Sequence, residues 1–387
     1  MELSETLLAQ QQVIRLQALL EASRQIHSTI QLDEVLRIVL RIVVRELELA
    51  GAFFTTFAAC YGDVPSGMKE LLSSSEITYE LLGDSCLRFP LWDKSGNRFT
   101  DLIVIVPGDR ALDLNETDFL ETISMQAAVA IENARFHERT LQWQRLESDL
   151  ASARLVQQSL LPQQMPEIPG YALAARSVTC YEVGGDYLDI ISMPSGEVVI
   201  VIGDVAGKGL TSALVGMSFR STFRGMIHSG LSLVEIVTRM NLLHYNEGAE
   251  SRRRYVTAFL LRLDPYRNVV EVVNAGHNPA FLIAGEGVQH KIAASGTPIG
   301  MLPFSSYLCE KFGLGSSARL LVYTDGMTEV FRGEEEFGED RLLQAFAGCE
   351  EPTPEATLNS LWQTLETFSD GQERCDDMTA LALFRTS

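Results

Sequence analysis

The spacing of apolar residues predicts two helices before the first β-forming run. Between residues 7 and 30, apolar side chains recur at near-helical intervals among glutamines and charged residues, which is typical of an amphipathic helix. Residues 32–47 read LDEVLRIVLRIVVREL and predict a second helix, opened by two acids that suit the positive end of a helix dipole. The broad aliphatic face of this second helix is suited to covering a β-sheet.

The next part of the chain combines short strands with one long helix. Runs rich in β-forming residues lie at 51–60, 86–93 and 99–107, separated by Gly, Pro, Asn and Asp. A helix is then predicted from about residue 115 to 161, where a group of prolines, beginning at Pro162, ends it. Helix, strands and helix together indicate an α+β domain.

Seven-residue spacing in the long helix allows two interpretations. Apolar residues seven apart form two series that are out of phase with each other, Leu120, Ala127, Ala134 and Leu141, then Leu146, Ala153 and Leu160. A heptad repeat favours a dimeric coiled coil, with a local change of supercoil where the phase changes. In the alternative, a single helix packs first on the preceding sheet and then on the next domain. We favour the coiled coil, because an isolated long helix is only marginally stable.

Beyond residue 170 the pattern changes to strands with helices between them. Residues 187–193 and 197–205 predict a hairpin around the turn PSG, and two helices are predicted between residues 209 and 248. Further strands follow on both sides of a turn at 264–268, at 318–325 and at 378–385. Paired strand blocks around a helical pair indicate stacked sheets with helices outside.

Length and composition narrow the possible classes of protein. A chain of 387 residues with 46% hydrophobic residues suggests two domains, and its net charge of −20 argues against nucleic-acid binding. Aliphatic runs are far shorter than the roughly 18 residues that span a bilayer, and the N-terminus lacks a secretory pattern, so we expect a cytoplasmic protein without membrane contact. Six cysteines without a C-x-x-C pair suggest neither a zinc site nor a disulfide framework. We expect most of them, including Cys60 and Cys86, to be buried thiols rather than redox sensors.

Acidic residues recur at the ends of the β-forming runs. They are Asp186, Asp204, Asp325 and the pair Asp376 and Asp377. One such Asp is usually a turn former or a helix cap, but four positions at sheet rims can converge on one site. Oxygen ligands without His or Cys suit Mg²⁺ or Mn²⁺, and two such ions about 3.5–4 Å apart can activate a water for in-line attack on phosphorus. The stretch GDVAGKG does not fit a P-loop, whose glycines are spaced differently.

Ordered motifs from about residue 155 to the end resemble the PPM (PP2C-like) serine/threonine phosphatases of the bacterial SpoIIE/RsbU group. The motifs are QQSLLP at 157–162, VGGDYLD at 183–189, GDVAGKG at 203–209, AGHNP at 275–279, YTDGMTE at 323–329 and DDMT at 376–379. The resemblance implies an α-β-β-α sandwich and two Mn²⁺ or Mg²⁺ ions. It also implies that the substrate is a phosphorylated protein, a STAS-domain antagonist of an anti-sigma factor.

The same resemblance implies a role for each acid. Asp204 would bridge both metals with help from the backbone carbonyl of Val205, Asp186 would lie beside the second metal, and Asp325 and Asp376 would complete the first. Asp376 is preferred because the wider family has Asp-Asn here, and Asp377 remains a candidate ligand.

Several neighbours of these acids are expected to have supporting roles. His277 could be a general acid, but a hydrogen-bonding role in its turn is favoured, and Asp189 is expected behind the ligands. Gly184, Gly185, Gly207 and Gly209 are expected to let the backbone turn tightly beside the cations. The sequence shows no counterpart of the phosphate-gripping arginine of eukaryotic relatives.

Residues 31–138 resemble a GAF domain, mainly through the exit-helix sequence ISMQAAVAIENARFHE. GAF domains bind small molecules or serve as dimerisation modules, and both roles stay open, since no pocket residues can be identified. The predicted plan is an N-terminal helix (1–30), a GAF-like regulatory domain (31–138), a helical coiled-coil linker (139–164) and a phosphatase domain (165–387). The predicted protein is a homodimeric phosphatase in partner-switching signalling. The alternative is a non-catalytic binding regulator that retains the fold.

Overall fold

The chain folds into two compact units, Met1–Leu146 and Glu147–Ser387. The computed structural model describes residues 13, 16–65, 86–108, 110–162, 164–284, 289–349 and 353–386. Of the predicted N-terminal helix, residues 16–26 are helical and form α1, while 7–12, 14 and 15 lie outside the described residues.

In the described part of the first unit, a small antiparallel sheet is combined with three helical segments. Its strands pair in the order β2-β1-β4-β3. The elements are α2 (Leu32–Glu46), β1 (Gly51–Phe54), β2 (Cys60–Gly62), β3 (Cys86–Trp92), β4 (Arg98–Ile105) and the first part of α3 (Leu114–Leu160). The prediction of one strand over residues 51–60 was wrong. The chain reverses there, because Phe54 N–H bonds the carbonyl of Ala59, and β1 pairs with β2.

The first three residues of the first heptad series in α3 face the core of this unit. Leu120, Ala127 and Ala134 are buried among the residues of α2 and the sheet, whereas the fourth, Leu141, is 42% exposed. The three buried residues therefore cannot form a seam with another chain, and for them the alternative interpretation, a helix packed on the sheet, describes the structure.

The second unit contains two five-stranded antiparallel sheets. One has the order β12-β9-β8-β7-β6 and the other β11-β10-β13-β16-β5. The strands are β5 (Tyr171–Val178), β6 (Tyr187–Ser192), β7 (Val198–Val205), β8 (Val256–Asp264), β9 (Val269–Ala275), β10 (Ala280–Ile283), β11 (Gln289–Ile292), β12 (Glu310–Gly313), β13 (Arg319–Tyr323) and β16 (Met378–Arg385). A two-stranded ribbon, β14 (Phe331–Arg332) and β15 (Glu335–Glu336), stands apart. The predicted hairpin around residues 194–196 is present as the β6–β7 pair.

Three layers of apolar side chains hold this unit together. Residues of both sheets, such as Ile200 and Leu381, form a core between them. The helices α4 (Leu210–Ile227) and α5 (Leu233–Asn246) pack on the outer face of the first sheet, followed by the short α6 (Ala249–Arg253). On the other sheet pack α7 (Gly338–Gly348) and α8 (Pro354–Ser369). The result is the α-β-β-α sandwich expected from the sequence.

Two expectations about the surface can be compared with the structure. None of the described helices is long and apolar enough to span a membrane. The expectation that most cysteines are buried was wrong, since among the six only Cys349 is buried, while Cys60, Cys309 and Cys375 are exposed. Cys60 begins a strand that pairs on one side only, and Cys309 and Cys375 precede strands in loops, so a core covers none of these three.

Candidate metal centre

Strand pairing brings the four predicted acidic positions to one end of the sandwich. In the first sheet Tyr187 pairs with Gly203, so Asp186 and Asp204 lie next to each other at the sheet edge. In the second sheet Tyr323 pairs with Ala380, which places Asp325 and Asp376 beside one another, just after β13 and just before β16. A hydrogen bond of 2.8 Å from Thr324 Oγ1 to Asp186 Oδ2 connects the two sheets at this end.

The electrostatics of the cluster centre on Asp204. Burial, followed by the charges of Asp325, Asp376 and Asp377, raises its pKa to about 7. Burial and the charge of Asp204 raise the pKa of Asp186 well above its usual range. Burial, with Glu329 and Asp376, raises the pKa of Asp325 to about 6. These carboxylates therefore destabilise one another in their charged forms, and a bound cation would remove that repulsion.

The donor set fits a hard divalent cation. The clustered side chains offer carboxylate oxygens, which Mg²⁺ and Mn²⁺ prefer. Among the described residues, no group of three or more Asp, Glu, His or Cys side chains is arranged so that it could hold a metal ion. One cause is visible, since the Nζ of Lys208 binds Asp376 Oδ2 at 2.8 Å and also the carbonyl of Cys375. Metal binding would require Asp376 to turn from this lysine toward the other acids.

The neighbouring pair Asp376 and Asp377 has two different environments. Both carboxylate oxygens of Asp377 accept backbone N–H bonds of 2.7 Å, from Cys180 and from Gly185. Asp377 is buried, whereas the side chain of Asp376 is 24% exposed and contacts Lys208. Asp377 therefore holds the VGGD loop, while Asp376 is bound to Lys208 and accepts the N–H of Asp377 at 2.8 Å.

Glycines let the two acid-bearing loops approach each other. A Cβ at Gly185 would lie 3.1 Å from the carbonyl oxygen of Val205, and one at Gly184 would collide with the carboxylate of Asp377. Gly207 has φ +100° and Gly209 has φ +75°, values that other residues rarely adopt. The carbonyl of Val205, the predicted backbone ligand, therefore lies against the loop that carries Asp186.

His277 and Asp189 lie behind the acids and have other partners. His277 is buried, its Nδ1 is 2.8 Å from Thr257 Oγ1, and burial lowers its pKa to about 4. A neutral imidazole bonded in this way supports the strand next to Asp204 and has no proton to spare as an acid near pH 7. Asp189 is fully buried and accepts two hydrogen bonds from Arg224, at 2.6 and 2.7 Å. It therefore fixes helix α4 to strand β6.

Three residues at this end were not assigned a role from the sequence. Thr324 connects the two sheets, Lys208 holds Asp376, and Gln157, part of the noted motif QQSLLP, bonds the backbone of Gly184. A lysine next to a predicted ligand loop is a weak signal that could have identified Lys208. The other two contacts depend on long-range packing that no local pattern reveals.

The two-sheet sandwich with acids gathered at one end defines the second unit as a PPM-type, PP2C-like phosphatase domain, a class that uses divalent metal ions. Residues 194–386, just under half of the chain, match the family described as stage II sporulation protein E (SpoIIE). The matched segment lies within the second unit, which is thus similar to the SpoIIE/RsbU-type group of protein phosphatases.

Named relatives and a solved structure agree with this assignment. The chain is 26% identical over 265 residues to protein IcfG of Synechocystis sp., covering 61% of this chain and 41% of the relative. It is 34% identical over 150 residues to phosphoserine phosphatase RsbP of Bacillus subtilis, covering 38% and 37%. The chain thus spans about two fifths of the length of each relative. The SiaA-PP2C domain of Pseudomonas aeruginosa has the same fold, with a TM-score of 0.56 at 20% identity over 64% of this chain and 99% of that domain.

Proposed function

We propose that the protein is a metal-dependent phosphatase that removes phosphate from phosphoserine or phosphothreonine of a partner protein. The observation that carries the proposal is the position of Asp204, whose charge interacts with those of Asp186, Asp325 and Asp376 at one end of the sandwich. When bound there, two Mn²⁺ or Mg²⁺ ions would supply an activated water and neutralise phosphoryl oxygens. The chain's own contribution is to hold these carboxylates, and the carbonyl of Val205, on two facing loops.

The proposed substrate is a STAS-domain antagonist of an anti-sigma factor. Its dephosphorylation would let it sequester the anti-sigma factor and free a sigma factor. Support comes from the SpoIIE-type domain and from the similarity to a phosphoserine phosphatase over 150 residues.

The proposed control runs through the helix that leads from the N-terminal, GAF-like unit. The end of α3 is bonded to the second unit at two points: Gln157 bonds Gly184, and Arg220 Nε donates to the carbonyl of Leu160 at 3.2 Å. Arg220 lies on α4, which the ion pair of Arg224 with Asp189 fixes to β6. A displacement of the helix end would therefore disturb both the loop before Asp186 and the helix that follows Asp204.

The proposed assembly is a homodimer formed through α3. Val129, Phe136 and Trp143 lie seven residues apart on this helix and are 43%, 72% and 71% exposed. They form an apolar stripe, here called the α3 stripe, distinct from the buried series at 120, 127 and 134. A seven-residue repeat of large apolar side chains is what a second copy of the same helix would cover.

Hydrolysis of a phosphoserine peptide by the full chain with Mn²⁺ tests the proposal. The comparison uses Asp204→Asn and Asp325→Asn, with Asp370→Asn as the control. Asp370 lies at the end of α8 with φ 50°, a conformation that Asn also tolerates, so this control removes one acid without strain. We expect activity in the wild type and the control only. Equal rates in all four proteins would remove the metal-site assignment and leave a binding role for the fold.

A further inference from the structure

The side chain of Arg254 covers the loop that follows Asp204. Strands β7 and β8 pair as far as Val205 with Val256, and the bond from Ala206 N–H to the Tyr255 carbonyl, 2.9 Å, continues this pairing. Gly207 and Arg254 therefore lie opposite each other just beyond the strands. A Cβ on Gly207 would collide with Nη1 of Arg254. The guanidinium occupies the space that a side chain at position 207 would need.

The base of this arginine is fixed, while its guanidinium keeps unused donors. The backbone carbonyl of Arg254 accepts a hydrogen bond of 2.9 Å from His244 Nε2. Its side chain donates from Nη1 to the carbonyl of Ala206, at 3.4 Å, and within the described part of the chain it makes no ion pair. A guanidinium carries five N–H donors in a rigid plane, so most of them have no protein partner among the described residues.

Other cations near the centre are already committed to protein partners. Lys208 binds Asp376 and the carbonyl of Cys375. Arg224 is paired with Asp189. Arg254 therefore differs from both, because it lies against the loop of the metal centre without a carboxylate of its own among the described residues.

We propose that Arg254 binds the phosphoryl group of the substrate at the edge of the metal centre. The inference rests on the proposed phosphatase function. A planar guanidinium can bind two phosphoryl oxygens at once, and such charge-assisted hydrogen bonds are about twice as strong as neutral ones. The phosphate-gripping arginine that the motifs do not show would then come from a position 50 residues after Asp204, brought there by the pairing of β7 with β8.

Calorimetric titration of inorganic phosphate into the full chain, saturated with Mg²⁺, tests this proposal without relying on turnover. The variants are Arg254→Ala and Arg254→Lys, with Arg252→Ala as the matched control. Arg252 is exposed, and its guanidinium lies 4.9 Å from the ring centre of Tyr245. We expect phosphate affinity to fall about tenfold or more in Arg254→Ala, less in Arg254→Lys, and to stay within about twofold of wild type in the control.

The same proteins are titrated with Mn²⁺ to separate substrate binding from support of the loop. We expect unchanged Mn²⁺ affinity in all of them. Phosphate affinity equal to wild type in Arg254→Ala would overturn the proposal. So would a loss of Mn²⁺ affinity as large as the loss of phosphate affinity, because the arginine would then merely support the loop.

Phosphopeptide kinetics distinguish failure of this proposal from failure of the proposed function. Phosphate binding that depends on Arg254, in a chain that hydrolyses no phosphopeptide, would support the phosphate site and reject the phosphatase activity. Hydrolysis by the wild type with an unchanged KM and kcat in Arg254→Ala would support the activity and reject the role of Arg254.

Discussion

The side-chain amide of Gln157 is hydrogen-bonded twice to the backbone of Gly184. Its Nε2 donates to the Gly184 carbonyl at 2.7 Å, and its Oε1 accepts from the Gly184 N–H at 3.2 Å. Gln157 lies in the last turn of α3 and is 8% exposed, and Gly184 lies two residues before Asp186. The end of the long helix therefore helps to set the position of an acid in the metal centre.

Replacing Gln157 should weaken the metal centre. In Gln157→Ala the buried N–H and carbonyl of Gly184 lose their partner, which costs on the order of 1–3 kcal/mol. We expect Mn²⁺ affinity and phosphopeptide turnover to fall about tenfold, measured by calorimetry and by phosphate release. Gln158→Ala changes the next, exposed glutamine and should stay near wild type. If both variants lost activity equally, the effect would belong to the helix as a whole and not to this contact.

The ion pair between Asp189 and Arg224 should matter for stability more than for chemistry. Asp189 is fully buried, so Arg224→Ala removes its ion-pair partner and leaves its charge with the hydrogen bonds from the Tyr187 hydroxyl and the Ile190 N–H. The free energy of unfolding should fall by about 3 kcal/mol. Urea unfolding of the metal-free chain measures this loss. Arg239→Ala, an exposed arginine on α5, is the control and should change little. Restoration of stability in the double variant Asp189→Asn with Arg224→Ala is expected, and a second, additive loss would contradict the argument.

The division of roles between Asp376 and Asp377 gives a third prediction. Asp376→Asn should reduce Mn²⁺ affinity at least tenfold and leave the urea midpoint nearly unchanged, since Asp376 is partly exposed and its partners are an exposed lysine and a backbone N–H. Asp377→Ala should lower the free energy of unfolding by about 2 kcal/mol, because the N–H groups of Cys180 and Gly185 lose a charged acceptor. The reverse pattern, in which Asp377→Ala affects only metal binding, would make Asp377 the ligand.

The acids of the candidate centre could be singled out from the sequence because each lies at the end of a strand or within two residues of one. Strand ends of one sheet meet at one rim, so Asp186 and Asp204 could be placed together once β6 and β7 were recognised as a hairpin. Lys208 and Arg254 could not be assigned in this way. The contact of Lys208 is with a loop 167 residues further on, and the proposed role of Arg254 depends on a strand pairing across three helices.

In the long helix α3 the sequence pattern was clear, but it was compatible with two different structures. A repeat of small and apolar residues every seven positions is equally suited to a partner helix and to a sheet of the same chain. Ala127 and Ala134 are buried in the core of the first unit, so this part of the repeat packs on the sheet. The α3 stripe is a different repeat, and it became apparent only once the exposure of its residues was known. The spacing of apolar residues alone does not show which face of a helix packs against its own chain and which is left for a partner.

The stability of the metal-free chain should fall as the pH rises. Asp204 has an ordinary pKa of 3.8 and a folded pKa of about 7, so between these values the native state holds a proton that the unfolded state has lost. The stability that depends on this proton is present below pH 3.8 and is lost as the pH approaches 7. Asp204→Asn removes the charge and should raise Tm in EDTA more at pH 7.5 than at pH 4, as measured by scanning calorimetry.

Saturating Mn²⁺ should reverse the order of the two Tm values at pH 7.5. An ion that binds only the native state of the wild type stabilises that protein by mass action. Wild type should then have the higher Tm. An equal Tm difference at both pH values in EDTA would show that the substitution acts through packing and not through the charge of Asp204.

The α3 stripe predicts the oligomeric state of the chain. Phe136 and Trp143 are large, apolar and more than two-thirds exposed, so Phe136→Glu or Trp143→Glu should place a charge in the proposed seam between two copies. Light scattering after size exclusion should show a dimer for wild type and a monomer for these variants. Leu114→Glu is the control, since Leu114 begins the same helix at 85% exposure and lies outside the stripe. A monomeric wild type at all working concentrations would contradict the dimer and with it any control by helix pairing, while leaving the metal centre and its chemistry unaffected.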